Sequence, residues 1–77
     1  MEVMEQVRQL ICGITGLAAD FGPAANLYQD LGVPSVHAMQ LLTELEEKFE
    51  IALPDDEFIE AVTLESLTAL VAKVKGA

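Results

Sequence analysis

Val3, Val7, Leu10, Ile14 and Leu17 recur at spacings of 4, 3, 4 and 3, and Met4 and Ile11 widen the stripe. This is one face of a chain turning every 3.6 residues, so it predicts a first helix from about Glu2 to Thr15. Gly13 weakens its last turn, and Gly16 offers a stop, because glycine enters the left-handed region without strain. A second stripe of Val36, Met39, Leu42, Leu45 and Phe49, widened by Leu41, predicts a helix from Pro34-Ser35 to about Glu50. The sequence admits two starts for it: Ser35 as N-cap, or Pro34 as the first helical residue. Glu44 and Lys48 are spaced to pair along this helix. Ile51 to Pro54 read as an extended connector. Pro54-Asp55-Asp56 then signals a short helix with an Asp cap, from about Asp56 to Ala61. Thr63 caps a last helix with Leu64, Leu67, Leu70, Val71 and Val74 on its apolar face. Lys73 and Lys75 suit its negative end, and Gly76 stops it.

Residues 17–34 carry Gly22, Pro23, Gly32 and Pro34 and show no clean period. A connection this long is either functional or packed down by its own apolar groups, here Phe21, Leu27, Tyr28 and Leu31. No strand-like alternation occurs. The expected fold is all-α: a small bundle of three main helices plus one short helix, with a long first loop, forming one domain over residues 1–77.

Composition narrows the function. The chain has 77 residues, 52% of them apolar, which suits one small core and argues against disorder. Thirteen acids against four bases give −9 at pH 7, so nucleic-acid binding is excluded and anionic membranes are disfavoured. A basic protein surface is the natural counterpart. The charge is uneven: residues 44–60 hold eight acids against Lys48 alone. The longest unbroken apolar run, Ala69 to Ala72, is far too short for membrane insertion, and no charged-then-apolar leader opens the chain. Cys12 is the single cysteine. It allows no internal disulfide, reads as a half-buried small apolar residue, and fits a cytoplasmic, reducing location.

Enzyme chemistry finds few candidates. His37, the one histidine, lies two residues after Ser35, and such neighbours do not face each other on a helix. It reads as a surface residue. The carboxylates of residues 44–60 have no pocket to set one apart as an acid, and Asp55-Asp56-Glu57 lacks the spacing of a calcium loop. No catalytic residue and no metal ligand set is assigned, and the chain is not expected to be an enzyme. Ser35 remains. A phosphate there would meet backbone N–H groups and the positive end of a helix dipole, although an ordinary N-cap is the plainer reading of the same residue.

The run Asp30-Leu31-Gly32-Val33-Pro34-Ser35-Val36 resembles the acyl carrier protein signature Asp-Leu-Gly-x-Asp-Ser-Leu. His37 to Phe49 resembles the second helix of that family, and Ile51 to Asp55 its I-x-I-P-D connector. Thr63-Leu64 resembles the start of its last helix, and Asn26-Leu27-Tyr28-Gln29-Asp30 the segment before the signature. The likeness runs from about residue 3 to 74. It implies that a phosphopantetheinyl transferase attaches 4′-phosphopantetheine, taken from coenzyme A, to Ser35. It implies a monomeric shuttle that presents acyl thioesters to acyl-loading and acyl-processing enzymes with basic docking patches. On helix 2 the docking positions would be Val36, Met39, Gln40, Thr43, Glu46 and Glu47, with Val36 and Met39 as apolar anchors and the two glutamates as a charged rim.

The chain departs from the pattern at Pro34, where the family has an acid, at Val36, His37 and Gln40, and at Phe58-Ile59 in the short third helix, the first of which is often small in fatty acyl carriers. The first two turns of helix 2 therefore carry no acid. This points to a specialised fatty-acid or polyketide-type pathway. An aminoacyl or peptidyl carrier is the alternative, and an acidic helical module that binds a basic protein is a third reading.

Overall fold

The computed structural model describes residues 2–76. Four helices account for its regular structure: α1 (Val3–Thr15), α2 (Val36–Phe49), α3 (Asp55–Glu60) and α4 (Leu64–Gly76). The chain is all-helical, with one isolated bridge between Asn26 and Thr63 as its only sheet-like pairing among the described residues. α1 packs against both α4 and α2, and α3 lies on α4. Val7, Ile11, Leu27, Leu45, Leu64, Leu67 and Val71 are fully enclosed at the centre. Burial of such side chains supplies most of the driving force for a chain this small.

Helix ends follow local chemistry. Gly16 is left-handed (φ 79°), and its N–H donates to Cys12 O at 2.9 Å, closing α1 as the sequence predicts. α2 ends on Glu50, which takes the same left-handed form without being glycine (φ 55°). Thr63 and Ser66 cap α4 reciprocally. Ser66 N–H donates to Thr63 Oγ1 and Thr63 N–H to Ser66 Oγ, both at 3.0 Å. Three expectations change. Asp55 is the first residue of α3 and not its cap; Pro54 holds the cap position in extended conformation, with no side-chain bond. Gly76 falls inside α4. Glu44 does not pair with Lys48, since Gln40 Nε2 donates to Glu44 Oε2 at 2.9 Å, and Lys73–Glu57 is the ion pair formed among the described residues.

The buried face of α2 is rotated from the predicted stripe. Leu41, Leu45 and Phe49 are buried and Leu42 is half-buried, but Val36 and Met39 are 74% and 69% exposed. Leu41, Leu45 and Phe49 lie four apart and form a row that faces α1. The row through Val36 and Met39 diverges from it toward solvent at the helix start.

The long loop is packed down. Phe21 and Leu27 are buried, and so is Val33, while Tyr28 and Leu31 pack half-buried against the core. Backbone bonds fasten it to the α3–α4 connector, Leu27 N–H to Val62 O (2.8 Å), and to the first turn of α4, Glu65 N–H to Pro23 O (3.0 Å). Arg8 reaches from α1 and donates through Nη1 to Ala19 O and Phe21 O, both at 2.7 Å, with its guanidinium 4.8 Å from the centre of the Phe21 ring. Asn26 turns the following segment, its Oδ1 accepting from Tyr28 N–H and Gln29 N–H at 2.9 Å. Left-handed Gly32 (φ 71°) then delivers the chain to Ser35.

Candidate functional site

Ser35 occupies the position before α2 in helical conformation (φ −61°, ψ −20°), and its side chain caps nothing. The first turn closes without it: His37 N–H donates to Pro34 O and Ala38 N–H to Ser35 O, both at 3.0 Å. This resolves the two starts open in the sequence. Ser35 holds the cap position but does not cap, and its hydroxyl stays exposed and unengaged. The chain's other serine, Ser66, is committed to the α4 cap. Ser35 stands at the mouth of a cleft walled by Tyr28, Ala38, Phe58, Ile59 and Val62. An open hydroxyl at a helix start, with no acidic side chain in the first turn of that helix, suits a phosphodiester group.

His37 is half-buried and not a plain surface residue: with Ile14, Thr15 and Leu41 it lines a void of ≈ 10 Å³ between α1 and α2. It makes no hydrogen bond to Ser35, as the i,i+2 spacing requires. Burial raises the Tyr28 phenol above its ordinary value. Among the described residues no group of three His, Cys, Asp or Glu side chains is placed to hold a metal ion.

The docking candidates separate. Val36, Met39, Gln40, Thr43 and Glu47 are exposed along one outward face of α2. Met39 O accepts from Thr43 Oγ1 at 3.1 Å, so the Thr43 hydroxyl is turned back to its own helix. Glu46 stands apart: it is half-buried, and its Oε2 accepts from Leu53 N–H at 2.9 Å. Its carboxylate pins the connector to α2 before it serves any partner.

Phe58 is 5% exposed. It walls the cleft beside Ser35 and a groove shared with Met39 and Leu42 of α2. Ile59, absent from the sequence-derived site, is 71% exposed next to it. Adjacent residues on a helix point about 100° apart, so a short helix that buries Phe58 turns Ile59 outward. The Phe58-Ile59 pair itself was the available signal, but the sequence does not say which of the two faces in.

The sequence matches the family pattern described as "Phosphopantetheine attachment site" over residues 5–71. It is also 32% identical to an acyl carrier protein of Akkermansia muciniphila over 75 residues, covering 96% of this chain and 94% of that protein. The covalent group of this family is 4′-phosphopantetheine, and the free hydroxyl at the start of α2 fits it. The helical bundle, the signature at the α2 entrance and these two matches together show that the chain belongs to the acyl carrier protein family, as a carrier of the phosphopantetheine-binding type.

Proposed function

We propose that Ser35 receives the 4′-phosphopantetheine arm, and that the chain presents acyl groups to partner enzymes of a specialised fatty-acid or polyketide-type pathway. The observation that carries this reading is the exposed, unengaged Ser35 hydroxyl at the entrance of α2, whereas the chain's other serine, Ser66, is locked in the α4 cap. In the loading step a transferase bonds Ser35 Oγ to the phosphorus of coenzyme A nearest the pantetheine. Adenosine 3′,5′-bisphosphate leaves, and the serine proton passes to a base of the transferase. The arm supplies a terminal thiol on which acyl groups ride as thioesters. The chain contributes position: α2 holds Ser35 at a fixed place relative to Val36, Met39, Gln40, Thr43 and Glu47, so one docking event aims the arm. Glu46 adds charge near this face while holding the connector. The chain acts as a cytoplasmic monomer and not as a catalyst. The acid-free first turn of α2 supports dedicated partners over housekeeping ones, whose basic patches meet less charge here.

A second reading, an aminoacyl or peptidyl carrier, is favoured by one observation. Phe58 is buried at the position where fatty acyl carriers often have a small residue, so its ring takes up room that an acyl chain would use there.

Intact mass after incubation with coenzyme A and a broad-specificity transferase tests the assignment. The wild type gains one phosphopantetheinyl group, peptide mapping places it on Ser35, and Ser35→Ala gains nothing. Modification of Ser35→Ala would sink the proposal.

A further inference from the structure

Tyr28 and Ser35 are the two hydroxyl-bearing side chains that line the cleft at the start of α2; apolar side chains, Phe58 and Val62 among them, make the rest of its wall. The backbone at Tyr28 is fixed on both sides. Leu27 N–H donates to Val62 O at 2.8 Å, and Tyr28 N–H donates to Asn26 Oδ1 at 2.9 Å. The Tyr28 hydroxyl itself makes no hydrogen bond among the described residues and is not sealed from water. The ring also borders the ≈ 10 Å³ void between α1 and α2, but the surface of that void is apolar, so the hydroxyl does not open into it. Burial keeps the phenol in its protonated, donating form well into the alkaline range.

We infer that the Tyr28 hydroxyl, with the apolar wall of Phe58 and Val62, holds the first unit of the 4′-phosphopantetheine arm in this cleft, so that the resting arm starts along the protein surface instead of swinging free. The inference rests on the Ser35 reading and deepens it. Size sets the extent of the contact. The cleft measures ≈ 260 Å³, just short of the ~300 Å³ at which pockets for whole drug-sized molecules begin. It takes part of the arm and not its full length. The unit next to the phosphodiester carries two methyl groups, a hydroxyl and an amide carbonyl. The methyl groups suit Phe58 and Val62, and the oxygens accept from a phenol. Charge sets the side. No charged side chain among the described residues lines this cleft, whereas the adjoining groove has Asp55 in its wall and excludes Ser35. A phosphodiester is repelled there and tolerated here.

The chain has one tyrosine and no tryptophan, so its fluorescence reports Tyr28 alone. The test compares the unloaded chain with the chain loaded from coenzyme A, under reducing conditions, by time-resolved fluorescence with acrylamide as a neutral quencher. The expected result is a quenching rate constant roughly halved on loading, because the arm covers a ring that was half-buried. Urea unfolding at about 0.5 M salt, which screens the added phosphate, supplies the second measurement. Loading raises the wild-type midpoint by about 1 M, and Tyr28→Phe loses about half of that gain. The difference between loaded and unloaded chain cancels any structural cost of the substitution. Equal quenching before and after loading overturns the inference and leaves the Ser35 reading intact, since the loaded chain is identified by its mass. An undiminished gain in Tyr28→Phe overturns it as well, by removing the hydroxyl from the contact. Failure of the wild type to gain mass at Ser35 is a different result: it removes the Ser35 reading and this inference with it.

Discussion

Replacing Arg8 with methionine tests how the long loop is held. Arg8 Nη1 makes two 2.7 Å bonds, to the exposed Ala19 carbonyl and to the half-buried Phe21 carbonyl, and its guanidinium lies over the Phe21 ring. The Ala19 carbonyl regains water, so its loss costs about 0.5 kcal/mol, whereas the Phe21 carbonyl loses a charged donor in partial shelter, about 1–2 kcal/mol. The cation–π contact adds about 0.5–1 kcal/mol. The total is about 2–3.5 kcal/mol, around half of the ~5 kcal/mol typical of a marginal small domain. Methionine retains much of the aliphatic packing, so the loss reports the guanidinium. Urea unfolding followed by circular dichroism is the assay. With a slope of ~1 kcal/mol/M for a chain this small, the midpoint falls by about 2–3.5 M. The substitution removes one of four bases from a chain at −9. Repeating the measurement at about 0.5 M salt separates the contact from general charge repulsion. Arg8→Lys keeps the charge but loses the planar group that lies over Phe21, and falls between the two. A shift below ~0.5 kcal/mol for Arg8→Met would refute the reasoning. The bonds of Leu27 to Val62 and Glu65 to Pro23 would then suffice to hold the loop.

Ser66→Ala removes one half of the reciprocal α4 cap and lowers stability by about 1 kcal/mol in urea melts, while the chain still takes the arm at Ser35; loss of modification at wild-type stability would contradict both assignments. Tyr28 titrates above its unfolded value of 10.0 because burial disfavours the phenolate. Its contribution to stability is complete below pH 10.0 and is lost as pH rises through the higher folded value, so the melting temperature falls across that window. Tyr28→Phe removes that part of the alkaline fall, and an identical pH profile in the variant would disprove it.

The helices of this protein are legible in its sequence because their signals are local. Periodic apolar positions in residues 3–14 and 64–74, Gly16 after α1 and Thr63 before α4 each act within one or two turns, and each lies where the pattern places it. Ser35 stands out for a similar reason: its setting between Gly32 and a new apolar period is written in consecutive residues. What the tertiary structure decided is which way side chains face when two apolar rows compete. On α2 the row through Leu41, Leu45 and Phe49 wins the core because α1 packs there, and Val36 and Met39 are left in solvent. On α3 either Phe58 or Ile59 satisfies the local pattern; Phe58 takes the space beside α2 and Ile59 is turned outward. Glu46 reads in the sequence only as a rim charge of the docking face, and Arg8 carries no local signal, until the fold brings Leu53 and the 19–21 segment within hydrogen-bond reach. Those bonds join residues 7 to 13 positions apart, outside any helical period, and only the closed chain makes them visible.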